Sequence, residues 1–254
     1  MKKLLHFAGA IWAVYTLLML ALTGLIAMVF FVPLYYLTGR KGWYLGHQVT
    51  RIWSWVFLYI SGLPLWVCGR RWITRGKPAV YICNHVGLID VPAAAAALKG
   101  PFHILSKEEV RKMPIIGYML PRLHYAVKRS DKQSRDTSYN WLRKAIRKGR
   151  SVLLFPEGTR NAGPALTRDF YDGAFRLAIM EQVPLTVMVL LDSFKRMNKH
   201  HPFSILPGML RCRIFPPIDT RGMTEKDLPA LKEKARRMME SALEKVYGAR
   251  LPLP

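Results

Sequence analysis

Val80-Tyr81-Ile82-Cys83-Asn84-His85-Val86-Gly87-Leu88-Ile89-Asp90 is the stretch on which the reading of this chain turns. Its first four residues are apolar or strand-favouring and read as a short buried strand. A histidine follows at the strand end, and Asp90, the first carboxylate of the whole chain, comes five residues after it. Five residues is not a helical contact spacing. The two side chains meet only if the chain turns at Val86-Gly87 and Asp90 enters the first turn of a helix. In that arrangement Asp90 accepts the Nδ1 proton of His85, which fixes the tautomer and leaves Nε2 free to take a proton from a hydroxyl. The same residues also fit a loop histidine and an aspartate near a helix N-terminus with no shared chemistry. The stretch by itself leaves both readings open.

Working outward, short apolar runs alternate with amphipathic ones. Runs 79–83, 102–105, 125–127, 151–155 and 185–191 read as strands, and 90–98, 108–112, 135–148 and 173–180 as helices. In 135–148, Tyr139, Leu142 and Ile146 share one face, and Gly149 is placed to end the helix. Residues 203–218 read as a pair of strands around Pro207-Gly208, and 224–247 as an amphipathic helix with Thr224 as N-cap. The alternation predicts an α/β domain with a largely parallel sheet. A second chemical signal, Phe155-Pro156-Glu157-Gly158-Thr159-Arg160, also follows an apolar strand. Gly158 permits close backbone approach, and Arg160 offers a planar fork for phosphate. The plain alternative is a turn with a solvated charge pair. Both motifs fall at the carboxyl ends of strands, the edge where open α/β sheets bind ligands.

The front of the chain is of another kind. Residues 1–89 hold no Asp or Glu, and from Leu4 to Gly39 no side chain carries a formal charge if His6 is set aside. The core of that run, 11–37, exceeds the ~20 apolar residues a spanning helix needs. It is also too long for the apolar part of a signal peptide. Pro33 is expected to kink it or end it. Residues 52–67 carry Trp53, Trp55, Tyr59 and Trp66, a density that favours a membrane interface and predicts a second, interfacial or re-entrant helix. The chain therefore divides into a membrane-embedded helical segment, 1–64, and a catalytic domain, 65–254; the plain alternative for the first part is two buried core helices. With 39 Lys and Arg against 16 Asp and Glu, the net charge of +23 calls for an anionic partner, either lipid headgroups or nucleic acid. No zinc-finger or RNA-recognition motif appears and the basic residues form no recognition helix, so no nucleic-acid partner is expected. The basic run 143–150 reads as a solvated helix face, with a membrane-facing role as the alternative. The three cysteines, Cys68, Cys83 and Cys212, form no paired motif, which speaks against a disulfide framework or zinc site. Cys83 completes an apolar strand and points away from its neighbours in alternation, so it reads as core rather than nucleophile. His124, His200 and His201 read as surface or structural.

Taken together, these residues resemble the lysophospholipid acyltransferase family, whose best-known members acylate lysophosphatidic acid. The family's H-x-x-x-x-D motif is met by His85 and Asp90. Its second block is met by Lys107-Glu108, Pro114-Ile115-Ile116-Gly117 and the strand running to Lys128-Arg129, and its third by Phe155 through Arg160. Its fourth corresponds to Val183-Pro184-Leu185. The match spans residues 84–191. Two departures are visible: Phe170-Tyr171-Asp172-Gly173 lacks the basic residue common there, and Thr186-Val187 stand where a second proline is common.

The resemblance implies an α/β acyltransferase domain behind membrane helices, with the catalytic domain on the cytoplasmic side. It implies transfer of an acyl group from acyl-carrier protein or coenzyme A to the free hydroxyl of a lysophospholipid among membrane phospholipids, lysophosphatidic acid first among acceptors, with another lysophospholipid or an amino-acid lipid as the alternative. His85 would act as base and Asp90 would orient it, with no metal and no cofactor beyond the thioester. Arg129 and Arg160 would hold the acceptor phosphate, and Glu157, Gly158 and Thr159 would shape the pocket. Backbone N–H groups near Gly87, or at the following helix start, would stabilise the oxyanion. A hydrolase using the same pair on water is the competing enzyme.

Overall fold

Thirty-six consecutive residues without an acidic side chain open the structure as one helix, α1 (Lys2–Leu37). This computed structural model describes residues 2–251, apart from Arg75, Arg129, Ala162, Lys199 and His200. Within α1 the segment Gly9–Leu37 is long and apolar enough to cross a membrane. Pro33 does not stop it: the helix runs one further turn to Leu37. The hydroxyls of Thr16 and Thr23 are satisfied within the helix, and that of Thr38 just past its end, each donating to the carbonyl four residues back. A second helix, α2 (Gly42–Ile60), lies alongside α1. The two are joined by Trp53 Nε1 donating to Thr23 Oγ1 at 3.0 Å and Trp12 Nε1 donating to the Ser61 carbonyl at 3.1 Å. The expected interfacial segment therefore begins earlier and ends at Ile60. Leu65, Trp66 and Val67 belong instead to a strand, β1 (Leu65–Cys68).

The remainder follows as β2 (Val80–Cys83), α3 (Asp90–Ala97), β3 (Phe102–Lys107), α4 (Ile116–Leu123), β4 (Tyr125–Val127), α5 (Lys132–Arg147) and β5 (Ser151–Leu154). Then come α6 (Gly173–Met180), β6 (Leu185–Leu190), α7 (Ser193–Arg196), β7 (Met197–Asn198), β8 (His201–Ile205), β9 (Leu210–Ile214) and α8 (Leu228–Tyr247). Seven strands form one sheet in the order β1-β9-β6-β2-β5-β3-β4. All neighbours are parallel except β6 and β9. This is the α/β fold with a largely parallel sheet that the alternation predicts. Gly149 does end α5, with φ +76, and Thr224 forms a capping box with Asp227 just ahead of α8. Residues 108–112 are helical as expected, in 3-10 geometry. The expected strand pair in 203–218 does not pair with itself: β8 joins β7, whereas β9 crosses to lie between β1 and β6.

Alternation along the strands divides the core in two. Val80 and Ile82 face α5, α6 and α8, where Phe175, Leu177, Ala235 and Met239 pack. Tyr81 and Cys83 face the other layer, built by α1, α2 and α3. The alanines of α3 let α2 approach closely, and Trp55 Nε1 of α2 donates to the Ala96 carbonyl at 3.0 Å. Away from that contact α1 and α2 leave Leu18, Leu25, Val29, Phe30, Ile52 and Tyr59 exposed, an apolar face that a water-facing surface would not keep.

Phe175 is wholly buried at the centre of the first core layer. Phe175→Ala is expected to lower stability by about 3–5 kcal/mol, the usual cost of such a cavity. Chemical unfolding in a neutral detergent measures it.

Candidate active site

Strand pairing brings the two chemical blocks together. β2 and β5 are parallel neighbours with Ile82 opposite Leu154, so His85 and Glu157, each three residues further on, emerge level at one sheet edge. Asn84 carries the ladder past the strand end. Its side-chain amide donates to the Leu190 carbonyl at 3.1 Å and its Oδ1 accepts from the Leu190 N–H at 2.8 Å. The residue ahead of His85 is thus pinned to β6.

The turn at Val86-Gly87 forms, and Asp90 opens α3 as expected. Asp90 is completely buried, and its Oδ2 accepts from His85 Nδ1 at 2.9 Å, from Val86 N–H at 2.5 Å and from Gly87 N–H at 2.7 Å. An ionised carboxylate can only accept, so Nδ1 carries the proton and Nε2 is left with its lone pair. Asp90 Oδ1 is buried without a partner among the described residues. The His85 ring stacks on Phe155, the first residue of the second motif, with centroids 4.3 Å apart and planes at 24°. Its side chain keeps 15% of its surface exposed, against none for Asp90.

Both backbone groups of His85 are held by the second motif. The N–H donates to Glu157 Oε1 at 3.1 Å, and the carbonyl accepts from Asn161 N–H at 2.7 Å. Residues 158–160 therefore arch from one anchor on His85 to the other, which sets Thr159 and Arg160 beside the dyad. Arg160 makes no ion pair among the described residues. Gly158 is required at the arch: its φ is +65, and a Cβ there would lie 2.6 Å from the Tyr171 ring.

Two expectations change. Glu157 faces inward rather than lining a pocket: it is 1% exposed, and its second oxygen accepts from Arg168 N–H at 3.1 Å. Burial pushes its carboxyl up to about 7, against the opposing pull of the two backbone N–H groups. Gly87 does not offer an oxyanion donor, because its N–H is already given to Asp90. The next N–H groups, Leu88 and Ile89, stand at the start of α3. Arg129 lies outside the described residues; β4, which precedes it, ends at Val127 on the same sheet edge. Cys83 is fully buried, and burial holds its thiol well above the usual range, which fits core rather than nucleophile. Asn84 and Phe155 stand inside the two motifs, and Asn161 directly after the second, but sequence reasoning gave none of them a role.

An acyltransferase family model matches residues 66–190, which contain the dyad and the arch. The chain is 26% identical over 204 residues to a 1-acyl-sn-glycerol-3-phosphate acyltransferase of Cocos nucifera, covering 79% of this chain and 63% of that one. It is 27% identical over 195 residues to the enzyme of the same name from Saccharomyces cerevisiae, covering 75% and 63%. To the human alpha form it is 25% identical over 190 residues, covering 74% and 66%. The chain thus spans somewhat less than two thirds of the length of these relatives. The crystal structure of the 1-acyl-sn-glycerophosphate acyltransferase PlsC from Thermotoga maritima superposes with a TM-score of 0.78 at 17% identity, covering 96% of this chain and 97% of that one. At that identity the likeness is one of fold.

Because the Glu157 carboxyl titrates near 7 when folded and near 4.5 when unfolded, the folded chain binds its proton more tightly. The stability this supplies is complete below about 4.5 and is lost as pH rises through about 7. Glu157→Gln lacks that titration. Melting curves from pH 5 to 8 are expected to show the wild type losing stability relative to Glu157→Gln as pH rises, by up to about 3 kcal/mol. A gap that stays constant would contradict the buried, proton-holding role.

Proposed function

We infer that this chain, which belongs to the lysophospholipid acyltransferase family, moves a fatty acyl group from a thioester to the free hydroxyl of lysophosphatidic acid, giving phosphatidic acid. The observation that carries this reading is the His85–Asp90 dyad, its Nδ1 tied at 2.9 Å and its ring set against Phe155 beside the Gly158–Arg160 arch. The acceptor is supported by the relatives, which are 1-acyl-sn-glycerol-3-phosphate acyltransferases.

His85 Nε2 takes the proton of the acceptor hydroxyl as its oxygen attacks the thioester carbonyl. The tetrahedral oxyanion collapses, the C–S bond breaks, and the departing thiolate recovers the proton from His85. Asp90 stabilises the transient imidazolium and holds the ring in place. Leu88 and Ile89 N–H, at the start of α3, are the candidates for the oxyanion. Arg160, with Arg129, is the candidate for the acceptor phosphate, a planar fork matched to its oxygens. The donor is acyl-carrier protein or coenzyme A, and no cofactor beyond it is needed. The exposed apolar face of α1 and α2 supports membrane attachment. The catalytic domain belongs on the cytoplasmic side, where both donors occur.

Detergent-purified protein given lysophosphatidic acid and each donor is expected to form phosphatidic acid. His85→Ala should lower the rate by about 10²–10⁴, the range a lost general base commands, and Asp90→Asn by less. Free fatty acid in place of phosphatidic acid would favour the hydrolase. Undiminished transfer by His85→Ala would overturn the mechanism.

A further inference from the structure

The groove beyond the carboxyl ends of β1 and β9 has a cavity volume of about 360 Å³ and is lined by Gly69, Arg70, Arg71, Trp72, Arg213 and Phe215 among others, with no carboxylate. We propose that it binds the phosphate headgroup of an anionic phospholipid, which rests on the membrane attachment read above.

The three arginines are held without acidic partners: among the described residues none of them forms an ion pair. Aromatic rings take that place. The Arg70 guanidinium lies 5.2 Å from the Trp55 ring, Arg71 lies 4.9 Å from Trp72, and Arg213 lies 4.8 Å from Phe215. Cation–π stacking fixes the planar group by its face and leaves its N–H edge to bind oxygen. Arg70 Nε is buried and has no hydrogen-bond partner among the described residues, a costly state that an incoming acceptor would relieve. Gly69 lets the ends of β1 and β9 meet at the floor: it has φ +84, and a Cβ there would lie 2.0 Å from the Ile214 carbonyl oxygen.

The position selects a lipid source. Trp55 belongs to α2, whose residues Ile52, Val56 and Tyr59 are exposed, and Trp66 on the edge strand β1 is 64% exposed. Aromatic side chains beside arginines, next to an apolar face, suit the headgroup layer of an anionic leaflet. The groove is also separate from the dyad. β1 and β9 run opposite to β2 and β6, so their carboxyl ends lie at the sheet edge away from His85. The acceptor phosphate of the reaction therefore has a different place from this one.

Arg71 and Arg213 are exposed and suit substitution. Full-length protein in neutral-detergent micelles, without acyl donor, is titrated calorimetrically with dihexanoyl phosphatidylglycerol, dihexanoyl phosphatidylcholine and inorganic phosphate. The wild type is expected to bind phosphatidylglycerol saturably and best of the three. R71Q/R213Q should weaken that binding about tenfold or more, in line with the loss of charge-assisted bonds, at an unchanged melting temperature. Should the glutamine pair melt lower, R71K/R213K, which keeps the charge and loses the fork, is expected to show an intermediate loss. Equal affinity of wild type and R71Q/R213Q for phosphatidylglycerol would overturn the proposal, as would equal affinity of the wild type for the two lipids. Inorganic phosphate binding as tightly as phosphatidylglycerol would overturn the lipid assignment. Sedimentation with neutral phosphatidylcholine vesicles tests the membrane reading separately, and both wild type and R71Q/R213Q should pass it.

Discussion

One carboxylate oxygen, Asp90 Oδ2, collects the imidazole N–H of His85 and the backbone N–H groups of Val86 and Gly87. A fully buried charge is expensive unless donors surround it, and bonds to an ionised acceptor are among the stronger ones available, about 1.5–3 kcal/mol each. The same interaction shapes the turn, begins α3 and sets the histidine tautomer. Moving Asp90 would leave two backbone donors and an imidazole unsatisfied at once. Glu157 does the complementary work from the neighbouring strand, gripping the His85 N–H and the Arg168 N–H. The dyad is therefore held from two sides by buried carboxylates that never need to touch substrate.

That geometry is continuous with the apolar helices α1 and α2. α2 packs on α3, and α3 begins with Asp90. The Pro114–Gly117 turn closes another link: Ile115, at φ +63, places its side chain where a Cβ on Gly24 of α1 would be 3.0 Å away. The Ile116 N–H donates to the Pro114 carbonyl across that turn, the tight three-residue closure that such a φ permits. The apolar helices thus form one side of the domain core as well as its outer apolar face.

Much of the fold was legible because it rests on periodicity. The strand at 125–127 and the helix at 173–180 were read to the residue, and the turn joining His85 to Asp90 follows from one strand, one glycine and one carboxylate. β1 was missed because four residues with two tryptophan-rich turns before them carry no separable period-2 signal. The partners of β8 and β9 were misread because pairing is a non-local choice: β9 is drawn between β1 and β6, and Asp192 beyond β6 then holds Arg211 at 2.7 Å. Pro33 does not end its helix, which closes one turn later at Leu37. At the site, the side-chain types were visible and the backbone donors were not. No sequence pattern says that Gly87 N–H is already given to Asp90, or that Glu157 points inward.

The central claim is that Asp90 keeps the proton on His85 Nδ1 and leaves Nε2 basic. Nitrogen-15 NMR of histidine-labelled protein in micelles reads this directly, with the His85→Gln spectrum assigning the signal. The account predicts a protonated Nδ1 and an unprotonated Nε2 for neutral His85, with that preference lost in Asp90→Asn. A neutral His85 carrying its proton on Nε2 in the wild type would contradict it.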